Sequence, residues 1–168
     1  MRAFTRIIGI DPGLRRCGWG IIETSGNRLV FVAAGVITPQ VTGALAERLV
    51  FLHNGLNEVI ARYKPDEAAV EETFVNTNAA STLKLGHARA AAMIAPARAG
   101  LLVAEYAATV VKKAVVGAGG ADKTQVAFMV RRLLPTAGEA AGDAADALAV
   151  AITHAHARRA RRIAGDAA

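Results

Sequence analysis

The sequence predicts an α/β protein built on a mixed five-stranded sheet with helices on its faces. The chain opens with three β-rich segments separated by turn signals, which is typical of an antiparallel meander. Two more short apolar runs follow, each preceded by a stretch of helical periodicity, as in strands joined by helical crossovers. Three further helical stretches complete the chain. The predicted order is therefore β-β-β-α-β-α-β-α-α-α.

The three N-terminal strands are indicated by β-branched residues and by the turns that end them. Residues 5–11 (TRIIGID) form an apolar run that stops at Asp-Pro-Gly. Residues 18–24 and 29–38 form two more runs, and Ser-Gly-Asn between them is a hairpin signal. These strands are expected to pair in an antiparallel fashion.

The remaining elements alternate between helical and extended patterns. Leucines at helical spacing from Leu45 onward predict a helix that Lys64-Pro65-Asp66 ends. Strands are predicted at residues 68–71 and 101–106, and Asn78 is a candidate cap for a helix over 79–95. The last three helices are predicted at residues 107–113, 122–134 and 142–162.

Length and composition indicate a single globular domain with a basic surface. The chain has 168 residues, 53% hydrophobic and 20% charged, which fits one domain over residues 1–164 with a frayed tail at 165–168. The net charge of +6 favours polyanionic partners, chiefly nucleic acid. Solubility alone is the alternative explanation of that charge.

The cysteine and apolar content limits the site chemistry and the compartment. Cys17 is the only cysteine, so the chain can form neither an internal disulfide nor a cysteine-rich zinc site. The N-terminus lacks the pattern of a secretory signal, and no apolar run reaches the length of a membrane span. A cytoplasmic protein without membrane partners is therefore expected.

Four acidic residues lie where strands or helices meet turns: Asp11, Glu71, Asp143 and Asp146. Asp143 and Asp146 are three apart, so they share one face of the last helix. Such carboxylates are costly in an apolar setting unless something satisfies them, and divalent cations prefer oxygen ligands. If the four converge, they can hold two cations about 3.5–4 Å apart for phosphate chemistry.

Each acid also has a purely structural explanation. Asp11 fits an Asx turn, and Asp143 and Asp146 suit the first turn of a helix. The pair Glu71–Glu72 fits a solvated strand end, and strand alternation alone does not decide which of the two faces Asp11. None of these explanations accounts for all four acids together.

A series of motifs gives the sequence a specific resemblance. They are GIDPG at 9–13, VEETF at 70–74, SxLKLGxAR at 81–89, EYA at 105–107, VKKAVVGAG at 111–119, KTQV at 123–126 and DAADALAVAITH at 143–154. In this order they resemble the RuvC family of Holliday-junction resolvases, which are ribonuclease H-like nucleases. The resemblance covers nearly the whole chain.

The resemblance implies a fold, an activity and partners. It implies a ribonuclease H-like homodimer that nicks two strands of a four-way DNA junction symmetrically, leaving 5′-phosphate ends. The reaction serves recombination and DNA repair beside the RuvA–RuvB branch-migration complex. Asp11, Glu71, Asp143 and Asp146 would be the catalytic carboxylates, holding two Mg²⁺ per site, with Mn²⁺ as a substitute.

Further residues match positions through which the family contacts DNA. Lys112 and Lys123 are expected near the scissile phosphate, and Phe74 is expected to stack on a base of the opened junction. Lys84 and Arg89, on the second helix, are expected to follow the phosphate backbone. The chain departs from the family pattern at Glu72, where glutamine is expected, and in the basic pair Arg15-Arg16.

Three other functions remain open on the sequence. They are a related nuclease that matures ribosomal RNA, a phosphotransferase of the actin-like ATPases, and a DNA-binding protein with structural carboxylates only. His154 and His156 do not form a metal pair, because residues two apart on a helix point in different directions. The basic run at residues 158–162 is interpreted as a solvated helix end, with added non-specific DNA affinity as the alternative.

Overall fold

The computed structural model describes residues 4–40, 42–72 and 78–166. The predicted order of strands and helices is confirmed, with one short 3₁₀ turn added at Pro135–Ala137. The elements are β1 (Thr5–Asp11), β2 (Cys17–Ser25), β3 (Arg28–Ile37), α1 (Leu45–Tyr63), β4 (Glu67–Glu72), α2 (Ala79–Arg98), β5 (Leu102–Ala107), α3 (Ala108–Val116), α4 (Lys123–Leu133) and α5 (Gly142–Asp166).

The five strands form one mixed sheet in the order β3-β2-β1-β4-β5. Strand β2 pairs antiparallel with both β1 and β3, whereas β4 pairs parallel with both β1 and β5. The predicted mixed sheet is thus confirmed. The β1–β4 register sets Ile10 opposite Val70, so the next residues, Asp11 and Glu71, end neighbouring parallel strands at one edge of the sheet.

Each face of the sheet is covered by its own group of helices. Ile8, Ile10 and Val70 pack with buried residues of α1 and α2. Ile7 and Ala69 point the opposite way and pack with buried residues of α3, α4 and α5. Side chains of successive strand residues alternate between the faces. In β1 and β4, even-numbered residues therefore face α1 and α2, and odd-numbered residues face α3, α4 and α5.

Glycines in β1 and β2 allow α5 to cross the sheet at very short range. A Cβ at Gly9 would lie 2.1 Å from the Ala147 carbonyl oxygen, and one at Gly18 would lie 1.9 Å from the Asp143 carbonyl oxygen. Only residues without a Cβ permit such an approach of two backbones. The glycines therefore fix where the first turn of α5 lies above the sheet.

The helix boundaries differ from the predicted ones mainly at C-terminal ends. Helix α2 continues past the predicted end at residue 95 to Arg98 and includes the buried Pro96. Proline removes only the hydrogen bond of its own N–H, so the residues after it can still complete the last turn. Helix α3 extends three residues further than predicted and ends at Gly117, whose φ is 93°. Helix α5 reaches Asp166, so two of the four residues expected to fray are helical.

The predicted cap of α2 is confirmed. The Asn78 side chain accepts a hydrogen bond from the Ser81 amide at 3.2 Å. Helix α4 has a reciprocal cap of the same kind, in which Asp122 accepts from the Gln125 amide and the Gln125 side chain accepts from the Asp122 amide. Both caps fix helix starts whose next residues line the clefts described below.

Candidate active site

Asp11 and Glu71 lie on the side of the sheet that α5 covers. In a strand, residues an even number of positions apart point to the same face. Asp11 therefore shares a face with Ile7, and Glu71 shares a face with Ala69, and both Ile7 and Ala69 pack against α5. Glu72 alternates to the opposite face. Strand alternation alone left the choice between the two glutamates open, and the packing of β4 on α5 favours Glu71, the residue that the family resemblance indicated.

Helix α5 brings its two aspartates to these strand ends. Asp143 and Asp146 lie in its first two turns, and one carboxylate oxygen from each of Asp11, Asp143 and Asp146 can be chosen so that all three lie within 4.8 Å of one another. Glu71 completes the cluster from the neighbouring strand, because it lines the same cleft as Asp11 and Asp146. The four acids predicted from the sequence thus converge.

The convergence leaves the site with excess negative charge. The pKa of Asp11 is raised to about 8, first by burial and then by the charges of Glu71, Asp146 and Asp143. Burial and the charge of Asp146 raise the pKa of Glu71 to about 7, although Lys123 and Lys112 oppose the shift. Oxygen donors packed this closely suit a hard divalent cation, which would relieve their repulsion.

Two basic residues each hold one aspartate of α5. Lys123 Nζ lies 3.0 Å from Asp146 Oδ2, and the lysine side chain is 79% exposed. On the other side of the cluster, Arg16 Nε lies 2.5 Å from Asp143 Oδ2. All four residues had been singled out on the sequence, but neither of the two ion pairs was predicted.

The acids open into a cleft of about 240 Å³ at the start of α4 and α5. Lys112 and Lys123 line it together with Asp11, Glu71 and Asp146, and Ala108, Val111, Val126 and Ala149 form its apolar wall. Two lysines beside carboxylates provide positive charge where a phosphate group would enter. The cleft therefore combines an acidic floor, whose oxygens could hold a metal ion, with a cationic rim.

The other residues predicted to contact DNA lie elsewhere. Lys84 is exposed and lines a second cleft, whereas Arg89 forms an ion pair with Glu105 and is only partly exposed. Phe74 lies outside the described residues. Contact of these side chains with DNA stays a prediction.

The sequence also missed a second charged network on α5. His154 Nε2 lies 2.8 Å from Glu67 Oε2, and Arg158 Nε lies 2.8 Å from Glu67 Oε1. The interpretation of the basic run as a solvated helix end is therefore wrong for Arg158. Local sequence carries no signal for this network, because Glu67 meets Arg158 and His154 only once β4 and α5 are packed together.

Most of the chain matches the model of one protein family. Residues 7–154 match the family model described as Crossover junction endodeoxyribonuclease RuvC. The chain belongs to the RuvC family. It is thus an endodeoxyribonuclease of DNA recombination, and the family to which it belongs is metal-dependent.

Relatives and solved structures agree over nearly the full length. The chain is 65% identical to crossover junction endodeoxyribonuclease RuvC of Caulobacter vibrioides over 158 residues, 94% of each chain. The RuvC of Azorhizobium caulinodans is 64% identical over 91% of this chain and 90% of its own. Thermus thermophilus RuvC in complex with Holliday junction substrate matches with a TM-score of 0.85 at 33% identity, covering 93% of this chain and 96% of that one.

These matches also classify the fold. The mixed sheet with helices on both faces is the ribonuclease H-like fold of the RuvC structures. The yeast mitochondrial Holliday junction resolvase Ydc2, at 14% identity and a TM-score of 0.61, shares that fold. Along the described chain, no helix combines the length and apolarity that crossing a membrane requires.

Proposed function

We propose that the chain forms a homodimer that resolves four-way DNA junctions by paired symmetric nicks, using two Mg²⁺ ions per active site. The observation that carries this proposal is the convergence of Asp11, Asp143 and Asp146 within 4.8 Å, with Glu71 in the same cleft. Mn²⁺ has the same oxygen preference and can substitute. A single nuclease domain over residues 1–164 contains the whole site.

The acids and lysines have distinct roles in the proposed hydrolysis. When bound, the cations supply an activated water and neutralise charge on the phosphate. Asp11, Glu71, Asp143 and Asp146 hold them and must lose their protons to do so. Since Asp11 and Glu71 have raised pKa values, metal loading of the free protein should improve as pH rises toward 8.

The lysines act on the substrate side of the site. Lys112 and Lys123 line the cleft, where their charges favour a phosphate oxygen that becomes more negative in the transition state. Lys123 also keeps Asp146 in place through its 3.0 Å ion pair. Hydrolysis at this position would leave a 5′-phosphate and a 3′-hydroxyl.

A solved relative supports the proposed substrate. The Thermus thermophilus RuvC structure contains a Holliday junction, which supports a four-way junction as the substrate of this chain. We extend the proposal to action in the cytoplasm beside RuvA–RuvB, and to Phe74 stacking on a junction base. Two like subunits are needed because each carries one site and two strands must be cut.

Asp143→Asn tests the proposal directly. The change removes a ligand charge and leaves the basic surface intact, so cleavage of a labelled four-way junction should fall at least about 100-fold, the upper range for losing a mere supporting contact of a metal ligand. Junction binding in EDTA, followed by gel shift, should be retained. Glu139→Gln is the control, since it removes an exposed carboxylate four residues earlier.

Substrate comparison separates the competing functions. Wild-type protein with Mg²⁺ or Mn²⁺ should cut the junction at paired positions and cut linear duplex and structured RNA much more slowly. Preferential cutting of RNA would indicate a ribosomal-RNA nuclease, and ATP turnover without DNA would indicate a phosphotransferase. Absence of cutting with either metal, or full cutting by Asp143→Asn, contradicts the proposal.

A further inference from the structure

A third cleft lies on the face of the sheet opposite the four acids. It measures about 390 Å³ and is formed by α1, the end of β3 and Trp19 of β2. Trp19 and Tyr63, which line it, pack with the apolar cluster that the sheet shares with α1 and α2, whereas Asp11 and Glu71 face α5. Small-molecule sites measure roughly 300–1,000 Å³, so this cleft is large enough to hold a ligand of its own.

Aromatic rings form much of the lining. Three of the eight aromatic residues of the chain line this cleft: Trp19, Phe51 and Tyr63. Phe51 is 52% exposed, and the rings of Trp19 and Tyr63 are partly exposed, with their centroids 5.6 Å apart. Accessible rings around a concave volume offer stacking surfaces to a flat ligand. These three residues define the aromatic cleft.

Two glycines permit the close packing that shapes the aromatic cleft. A Cβ at Gly35 in β3 would lie 2.7 Å from the Trp19 indole, so the ring packs directly on the strand backbone. A Cβ at Gly55 in α1 would lie 3.0 Å from Ile37 at the end of β3. Glycine inside a helix or strand weakens that element. At these two positions it allows the indole and α1 to approach β3 closely, which sets the walls of the cleft.

The charged groups of the aromatic cleft come from one helix. Among the described residues that line it, the charged ones are Glu58 and Arg62, which are both exposed and lie one turn apart on α1. The guanidinium carbon of Arg62 lies 5.3 Å from the centroid of the Tyr63 ring, which is a cation–π distance. A positive charge is thus held beside one of the stacking rings.

These groups match the parts of a nucleotide. A base offers a π face to the rings, its amino groups can donate to the Glu58 carboxylate, and a phosphate can pair with the Arg62 guanidinium. An aliphatic side chain would contact the rings but leave both charges unmatched. A bare phosphate would leave the rings unused. The combination therefore favours a ligand that is flat, able to donate hydrogen bonds, and anionic.

We propose that the aromatic cleft is a nucleotide-binding site, separate from the acidic cluster. The base stacks on Phe51 and on the Trp19–Tyr63 pair, and the phosphate contacts Arg62. The nucleotide is either free or an unpaired residue of a DNA strand, because both present the same base and phosphate. Binding here requires neither a divalent cation nor strand cleavage, so the inference goes beyond the proposed function and does not depend on it.

The fluorescence of Trp19 tests the proposal directly, because Trp19 is the only tryptophan of the chain. Titration of dAMP into DNA-free protein in EDTA should quench this fluorescence to a saturating level. Phe51→Ala should weaken dAMP binding about 5- to 150-fold, which corresponds to about 1–3 kcal/mol for the loss of a stacking ring. Circular dichroism melting checks that the variant is folded.

Phe128→Ala is the matched control. Phe128 is 54% exposed, lies on α4 and does not line the aromatic cleft, so its removal should leave dAMP affinity unchanged. Quenching that fails to saturate, an unchanged dAMP affinity of Phe51→Ala, or an equal loss in both phenylalanine variants overturns the site.

Deoxyadenosine, which lacks the phosphate, tests the role of Arg62. Arg62→Gln should lower the affinity for dAMP by up to about 5-fold, as for an exposed ion pair, and leave the affinity for deoxyadenosine unchanged. Equal effects on the two ligands would overturn the phosphate contact.

A single-stranded oligo-dA distinguishes the two sources of the nucleotide. Quenching of Trp19 by oligo-dA at least as tight as by dAMP, and weakened by Phe51→Ala, supports a DNA strand as the source. Weaker quenching by oligo-dA than by dAMP supports a free nucleotide. Absence of quenching by both overturns the inference even if wild type cuts a junction, and saturating quenching supports it even if wild type does not cut.

Discussion

Two glutamates on strand β4 show opposite electrostatics although they are four residues apart and face the same helix. Glu71 lies in the acidic cluster, and its pKa is raised to about 7, chiefly by burial and then by Asp146. Burial also raises the pKa of Glu67, but hydrogen bonds from Arg158 and His154 outweigh it and lower the pKa overall. Paired charges thus support the fold at one end of β4, whereas surplus charge marks the functional end.

Both ring nitrogens of His154 have hydrogen-bond partners in the network around Glu67. His154 is completely buried; its Nδ1 lies 2.8 Å from the Tyr106 hydroxyl and its Nε2 lies 2.8 Å from Glu67. Because a carboxylate only accepts, Nε2–H donates to Glu67 and Nδ1 of the neutral ring accepts from Tyr106. Burial lowers the pKa of His154, which agrees with a neutral ring.

Glu67→Gln should have the largest effect on stability. The change weakens charge-assisted hydrogen bonds to Arg158 and His154, each worth about 1.5–3 kcal/mol. One such loss corresponds to a decrease in melting temperature of roughly 3–12 °C for a domain of this size. Thermal melting by circular dichroism provides the measurement, and junction cleavage below the melting range should persist.

The comparison would fail if Glu67→Gln left the melting temperature unchanged. Glu58→Gln is a suitable control, since it neutralises an exposed glutamate on α1. Loss of cleavage without loss of stability would place Glu67 in the functional region instead. Either result would contradict the assignment of Glu67 to fold stability and of Glu71 to function.

In metal-free protein, Glu71→Gln should raise the melting temperature, whereas Glu67→Gln should lower it. Neutralising one member of a repelling cluster should raise the melting temperature at pH 8 by about 2–4 °C, which corresponds to about 1 kcal/mol. With saturating Mn²⁺ the order should reverse, because wild type then gains the free energy of metal binding. A stabilising effect that persists with Mn²⁺ would argue against Glu71 as a ligand.

The pH dependence sharpens this second comparison. Folded Asp11 and Glu71 have raised pKa values of about 8 and 7, so the folded state binds more protons than the unfolded state and metal-free stability falls as pH rises toward 8. The lowered pKa of His154 makes stability increase as pH rises, but this increase is complete above about pH 6.5, the ordinary pKa of histidine. Between pH 6.5 and 8, the melting temperature of metal-free Glu71→Gln should therefore fall less steeply with pH than that of wild type.

Much of this arrangement was predictable from local patterns. Residues 5–11, ending in Asp-Pro-Gly, predicted both β1 and the position of Asp11, because turn chemistry is a local property. The choice of Glu71 over Glu72 required the register against β1, which depends on contacts between distant parts of the chain. The need for glycine at Gly9 and Gly18 was not predicted, because it arises from the backbone of α5, which packs directly on them.

The charged partners were less predictable than the acids. The Arg16–Asp143 pair joins residues 127 apart in the chain, and no periodicity in either segment indicates it. Arg158 looked like part of a solvated basic run, because nothing in its own helix reveals Glu67 on the strand beneath. Side-chain pairing across elements follows from the assembled fold and not from local sequence.

Arg16→Gln should have the smallest effect, confined to metal affinity. Partners that orient a metal-ligating carboxylate contribute about 10–100-fold to binding, and the lower end applies here because the Arg16 side chain is 60% exposed. Mn²⁺ affinity of the DNA-free protein should therefore fall roughly tenfold relative to Arg15→Gln. Isothermal titration calorimetry supplies the measurement.

Arg15→Gln is the matched reference because it removes the same charge from the same loop. Losing a positive charge near the cluster favours cation binding in both variants, and this gain is larger for Arg16→Gln because Coulomb energy increases at short distance. Among the described contacts of these two arginines, only Arg16 reaches an Asp143 oxygen. A weaker Mn²⁺ affinity of Arg16→Gln than of Arg15→Gln would therefore report lost orientation of the carboxylate in spite of that gain. Equal Mn²⁺ affinities would mean that Arg16 does not orient the Asp143 carboxylate. Tighter Mn²⁺ binding by Arg16→Gln would mean that the Arg16 guanidinium competes with the metal.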